Sequence, residues 1–198
     1  MAGAAALLGA CGSLFTSKLA PTSVYVLRAE PAAGGPVLGA DLCILAPRVR
    51  AGLDGTAIAA LYPDRRLDRF AGAAWAGGLE ELVQDLAQGS LRAHAGPHVV
   101  GVAAAPFATA YWLDLEVLDF QAEYGPGAGA PTIRVRLAGI VGTRRQALAR
   151  FEVEETQRAE GDRLSAIVAA FETAANRVLD RIDAATAAAI AAAPPAPQ

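Results

Sequence analysis

Alternation and periodicity divide the chain into a strand-rich body with two amphipathic helices. Residues 23–28, SVYVLR, are β-branched and aromatic with apolar side chains on both faces, which predicts a short central or covered strand. After a turn at Gly34, Gly35 and Pro36, residues 37–49 predict a second strand with Leu38, Leu42 and Ile44 on one parity. Residues 56–62 predict a third, ending in a charged loop over 63–69. Trp75, Leu79, Leu82, Val83 and Leu86 recur at three- and four-residue steps and predict a helix over 75–92. Glu80 and Glu81 near its start, and Arg92, Gly96 and Pro97 at or past its end, give the charge and breaker order of a helix.

Strand signal returns briefly at 98–102 and strongly at 111–124. There Leu113, Leu115 and Val117 share one parity, whereas Leu118, Phe120, Ala122 and Tyr124 share the other. A slip of phase at Val117–Leu118 predicts a β-bulge or bend. Residues 132–141 alternate Ile133, Val135, Leu137 and Val141 with Arg134 and Arg136, and residues 146–155 repeat the pattern around Phe151 and Val153. Short connections make these three strands an antiparallel meander. Asp162 is placed to cap a long last helix whose stripe runs from Leu164 through Phe171 to Ile182. The fold class is α+β: an antiparallel or mixed sheet packed by two amphipathic helices. Residues 23–192 form one domain in this reading, and 193–198 are expected to be a disordered tail.

Composition narrows the function. The chain has 198 residues, 54% of them apolar but only 6% aromatic, so the core rests on Leu, Val, Ile and a few large rings. Net charge is −3 and the pI is about 5.4, with no basic stripe carrying interleaved aromatics, so nucleic acid is not expected as a partner. No apolar run of about 20 residues occurs in the body, and the Ala-rich stretch 184–193 is too weakly apolar to cross a membrane.

The amino terminus carries the most specific signal. Leu8-Gly9-Ala10-Cys11, followed by Gly12 and Ser13, has the form of a bacterial lipobox: an apolar residue, two small residues and the cysteine to be acylated. Small residues suit the narrow subsites of a peptidase that cuts before Cys11, and two or three acyl chains on that residue make a durable anchor. Ten residues precede Cys11 and none is Lys or Arg, which leads us to expect a start upstream of Met1. The alternative is a helical stub with a buried Cys11. Residues 12–22 read as a flexible tether, and Gly12, where Asp would favour the inner membrane, leans towards the outer one. Cys43 is expected to be an inert core residue, without a disulfide partner if Cys11 carries lipid.

Candidate chemistry is sparse. Asp114 and Glu116 lie two apart on a strand and read as a wet face rather than an acid–base pair. His94 and His98 are separated by the helix-breaking Gly96-Pro97 and read as loop histidines, not zinc ligands. The loop 125–131, GPGAGAP, lacks the Gly-Lys-Ser/Thr ending of a phosphate loop and reads as a hairpin connection. Residues 64–69, DRRLDR, read as a solvated loop, with lipid headgroups or a partner as the sharper alternative. No G-x-S-x-G occurs, and no residue is assigned to catalysis, a cofactor or a metal. Trp75 and the first helical stripe read as core, with a lipid groove as the sharper alternative.

Taken in order, these features resemble the ABC-type transport auxiliary lipoprotein family. The resemblance rests on Cys11, on Tyr25-Val26-Leu27, on AAWAGGLEELVQDLAQGSL, on Leu113, Leu115 and Phe120 in WLDLEVLDFQAEY, and on AIVAAFETAANRVLDRI after Phe151. It implies a non-catalytic periplasmic lipoprotein at the outer membrane. The implied partners are a mammalian-cell-entry (MCE) domain protein, a permease and an ATPase that together move phospholipid or other lipids between membranes. It also implies homo-oligomeric rings in some relatives. The alternatives are a lipid-binding periplasmic shuttle and an envelope hydrolase. A shuttle needs a sizeable apolar pocket, and a hydrolase needs clustered polar residues in a cleft.

Overall fold

A computed structural model describes residues 22–102, 109–127 and 129–193. The lipobox with Cys11, the tether up to residue 21 and the tail beyond residue 193 lie outside the described residues. In chain order the elements are β1 (Ser23–Tyr25), β2 (Leu42–Ile44), β3 (Arg48–Val49), β4 (Ala57–Leu61), β5 (Leu67–Trp75), α1 (Leu79–Ala93), β6 (Val100–Val102), β7 (Tyr111–Glu123), β8 (Thr132–Thr143), β9 (Ala147–Arg158) and α2 (Leu164–Ala191). The nine strands form one mixed sheet.

β7 organises that sheet. On one side it pairs antiparallel with β8, which pairs antiparallel with β9, giving the expected meander. On the other side β2, β3 and β4 lie parallel to it, one after another along its length. Leu42 faces Tyr111, Arg48 faces Glu116 and Leu61 faces Glu123. β6 extends the sheet from β2, and β5 followed by β1 extends it from β4.

The expected bulge is present. The register between β7 and β8 shifts between Val117 and Asp119, leaving Leu118 without an opposite residue. One unpaired residue resets the parity of everything after it. Phe120 and Ala122 therefore face the same core as Leu113, Leu115 and Val117, and all five are at most 2% exposed. Asp119, which strict alternation would turn inward with Val117, meets Arg136 on the other face.

Several expectations are corrected. The strand over 37–49 is paired only at 42–44 and 48–49, because Pro47 has no N–H for a ladder and Gly39 turns the chain at φ 74°. The strand over 23–28 is an edge, not central: β1 pairs only with β5, and Val24 and Val26 are exposed. Residues 67–69 belong to strand β5, not to a loop, and Trp75 ends that strand instead of opening a helix. α1 starts at Leu79 after Gly78, whose conformation is extended. Trp75 matched the helical stripe because strand end and helix point into one core. Arg163, not Asp162, occupies the cap of α2, and that helix runs nine residues past Ile182, to Ala191. Cys43 is half-buried, with its neighbours Leu42 and Ile44 taking the core positions.

Both helices pack on the inner face of the sheet, and the aromatic residues meet at the centre. The Phe120 and Phe171 rings stack at 5.2 Å, and Trp75 stands edge-on to both, at 6.0 and 5.3 Å. These three rings join β5, β7 and α2. In an interior so poor in aromatics, Phe171→Ala is expected to cost about 3–5 kcal/mol. Urea unfolding would measure it, and a loss below about 1 kcal/mol would mean that the rings are not the centre of the core.

Candidate functional site

The segment after β1 does not join the sheet but runs in extended form along α2. The backbone N–H groups of Arg28, Glu30 and Ala32 donate to the side chains of Glu172, Asn176 and Asp180, at 2.9, 2.7 and 3.2 Å. Asn176 also donates from Nδ2 to the Arg28 carbonyl at 3.0 Å. Two extended residues advance about 6.6 Å and four helical residues about 6 Å, so every second N–H finds an acceptor one helical turn further on. The alternate residues turn inward: Leu27 is 5% exposed, and Ala29 closes on Gly89 of α1. This strap lies over the seam between the helices.

Within the seam sits a polar cluster. The Ser90 hydroxyl on α1 donates to Asp183 Oδ2 on α2 at 2.7 Å, and His94 Nε2 stands 3.9 Å from the same oxygen. The His94 ring lies against Gly35, where a side chain would have no room. Asp183 is 2% exposed, and Ser90 and Thr186 are fully buried. Asp183 Oδ1 and Thr186 Oγ1 make no hydrogen bond to the protein among the described residues. Burial pushes the Asp183 carboxyl up to about 7; the Ser90 hydrogen bond opposes the shift and Asp180 adds to it. A nucleophile relay would place the imidazole between the hydroxyl and the carboxylate. Here the hydroxyl binds the carboxylate directly, in a buried position.

The outer face of the sheet carries charge in rows. Arg136 donates to Asp119 at 2.5 Å and to Glu152 at 3.0 Å, while Arg134 joins Glu123 at 2.9 Å and Glu154. Asp114 and Glu116 lie on this face as expected and share Arg48, at 2.8 and 3.5 Å. Hydrogen bonds to carboxylates hold Arg48, Arg134 and Arg136 above the ordinary arginine range. The histidines diverge: His94 faces Asp183, and His98 Nδ1 lies 3.5 Å from Asp41 at the start of β2.

The hairpin between β4 and β5 closes on residues 62–66. Arg65 N–H donates to the Tyr62 carbonyl at 2.9 Å, and Arg65 is the one non-glycine residue at positive φ among the described residues, at 67°. Tyr62 stacks on Tyr124 at 5.1 Å, and the Arg66 guanidinium lies 4.5 Å above the Tyr62 ring. Burial raises the Tyr124 hydroxyl pKa, with Tyr62 and Asp162 adding to it. Between the helices and the sheet is an apolar void beside Val83, Leu86, Phe120 and Leu179, about 10 Å³ in volume. That is about one water, where a ligand pocket spans roughly 300–1,000 Å³.

Two consequences can be measured. A carboxyl raised on folding stabilises the protein below its unfolded value of 3.8 and loses that contribution as pH rises through about 7. Asp183→Asn keeps an acceptor for Ser90 without the charge, so it should gain about 2–4 kcal/mol at pH 8 and flatten stability between pH 4 and 7. An unchanged pH profile in urea titrations would refute the buried charge. Asn176→Ala removes two hydrogen bonds to the strap, at about 1 kcal/mol each, and a third to the Glu172 carbonyl within α2. Hydrogen exchange at the Glu30 amide should accelerate, and retained protection would show that packing alone holds the strap.

The folded body matches a family model described as the ABC-type transport auxiliary lipoprotein component over residues 25–183. A search of curated proteins finds no match. Among solved structures, protein XCC0632 from Xanthomonas campestris superposes with a TM-score of 0.75 at 17% identity, covering 85% of this chain and 97% of that one. An uncharacterized protein gives 0.59 at 17% identity, with 86% and 97% covered. These two establish the fold alone. A PelC dodecamer from Paraburkholderia phytofirmans reaches 0.46 at 13% identity, covering 81% and 96%, too distant to bear on assembly. With 25–183 spanning the sheet and most of α2, the chain belongs to the ABC-type transport auxiliary lipoprotein family.

Proposed function

We propose that this protein is a non-catalytic, lipid-anchored periplasmic subunit that docks the MCE-domain component of an ABC-type lipid transport system at the outer membrane. The family match over residues 25–183 carries the reading. Cys11 lies upstream of the matched region, so its acylation rests on the lipobox pattern alone. The architecture is consistent with a docking part. Its interior is filled, its clustered hydroxyl and carboxylate are sealed in a helix seam, and its charged face is internally paired. The void beside Val83, Leu86, Phe120 and Leu179, the size of one water, is too small to hold an acyl chain. Energy would come from the ATPase, and self-assembly into rings would multiply the docking surface.

Pull-down from membranes, with the protein tagged at its own chromosomal locus, should recover an MCE-domain protein, a permease and an ATPase by mass spectrometry. Copurified lipid with none of the three would turn the assignment to the shuttle. Mass analysis of the amino-terminal fragment should find acyl chains on Cys11, and Cys11→Ser should move the protein from the membrane pellet to the soluble fraction.

A further inference from the structure

We propose that the β4–β5 hairpin tip, where Arg65 and Arg69 bracket Leu67 and Tyr62 lies across the turn, is a phospholipid-contacting surface facing the bilayer that anchors the domain. The orientation rests on Cys11 as the anchor; the chemistry of the tip does not.

Strand direction gives the first argument. β1 runs parallel to β5, with Ser23 opposite Ala73, and β5 begins at Leu67 beside the tip. Followed towards its N-terminus, the chain therefore leaves β1 heading for the tip. Measured along β4, which passes the bulge in β5, the level of Ala74, opposite Val24, lies four residues from that of Leu67, about 13 Å. The twelve residues from Cys11 to Ser23 can reach at most about 40 Å. A bilayer that holds an acylated Cys11 is therefore within reach of the hairpin tip.

The side chains suit that level. Leu67 is 41% exposed, and Arg65 and Arg69 are exposed and make no ion pair among the described residues. Asp64 and Asp68 offset Arg66, whose guanidinium caps the Tyr62–Tyr124 stack. Guanidinium forks bind phosphate oxygens, tyrosine favours the headgroup zone and leucine the acyl boundary. Arg65 also occupies the left-handed position of a three-residue hairpin loop, where Gly or Asn fits without strain.

The test uses the full chain carrying Cys11→Ser, so that no acyl chain contributes, and vesicles of phosphatidylethanolamine with phosphatidylglycerol. Each arginine at an anionic surface changes partitioning about fivefold, so Arg65→Ala with Arg69→Ala should weaken binding about twenty-five-fold. Arg65→Lys with Arg69→Lys should retain it. Arg65→Gly should weaken binding about fivefold while raising Tm, which separates lost contact from lost folding. Arg144 and Arg145, in the β8–β9 turn at the opposite end of the sheet, provide the control: changing both to Ala should leave binding intact. No binding by the parent chain, or equal loss from the two arginine pairs, would overturn the proposal. Acylation of Cys11 in cells is read separately by mass. Its absence would overturn the orientation and leave the vesicle assay to judge the surface.

Discussion

Thirteen consecutive residues of β7 have to keep one apolar face against the helices although their apolar pattern changes parity halfway. The unpaired Leu118 reconciles the two, and much of the fold follows from it. Before the bulge β7 supplies Leu113, Leu115 and Val117 to the part of the core under α1, beside β2 and β3. After it β7 supplies Phe120 and Ala122 beside β4. Without the slip, Phe120 would point to solvent and the contact between Trp75, Phe120 and Phe171 could not form. The three short parallel strands also depend on β7, since runs of two to five residues form strands only against a partner that is already extended.

Charge is handled differently on the two sides of the sheet. Outside, Arg134 and Arg136 of β8 lie between Asp119 and Glu123 of β7 and Glu152 and Glu154 of β9, so carboxylates flank each guanidinium. Such pairs add little stability individually; as a layer they keep a bare sheet face soluble and its register fixed. Inside, the Asp183 carboxylate sits between helices with the Ser90 hydroxyl bonded to it, His94 beside it and one oxygen unmatched among the described residues. Burial then favours the protonated acid.

Most of the architecture was legible in the sequence because alternation survives burial on one face. The meander, the bulge, both amphipathic helices and the α+β class all follow from apolar spacing that tertiary contacts left in place. β5 was hidden because its first three residues are all exposed, two of them charged, and only pairing with β4 makes them a strand. The strap was hidden for a related reason: its partners are side chains of α2, about 145 residues distant in sequence, and no local pattern announces them. Ser90 and Asp183 sat on the buried stripes of two predicted helices, and a polar residue in an apolar stripe was the available signal. Cys11 and its neighbours remain a matter of motif.

The strap also has a mechanical meaning. β1 runs parallel to β5 and the strap parallel to α2, so tension applied through the N-terminus acts along the length of both contacts, not across them. Hydrogen bonds arranged this way resist together, as in a lap joint, instead of opening one at a time like a zip. A domain held to a membrane at one end and pulled by a partner at the other would transmit that tension into its longest helix.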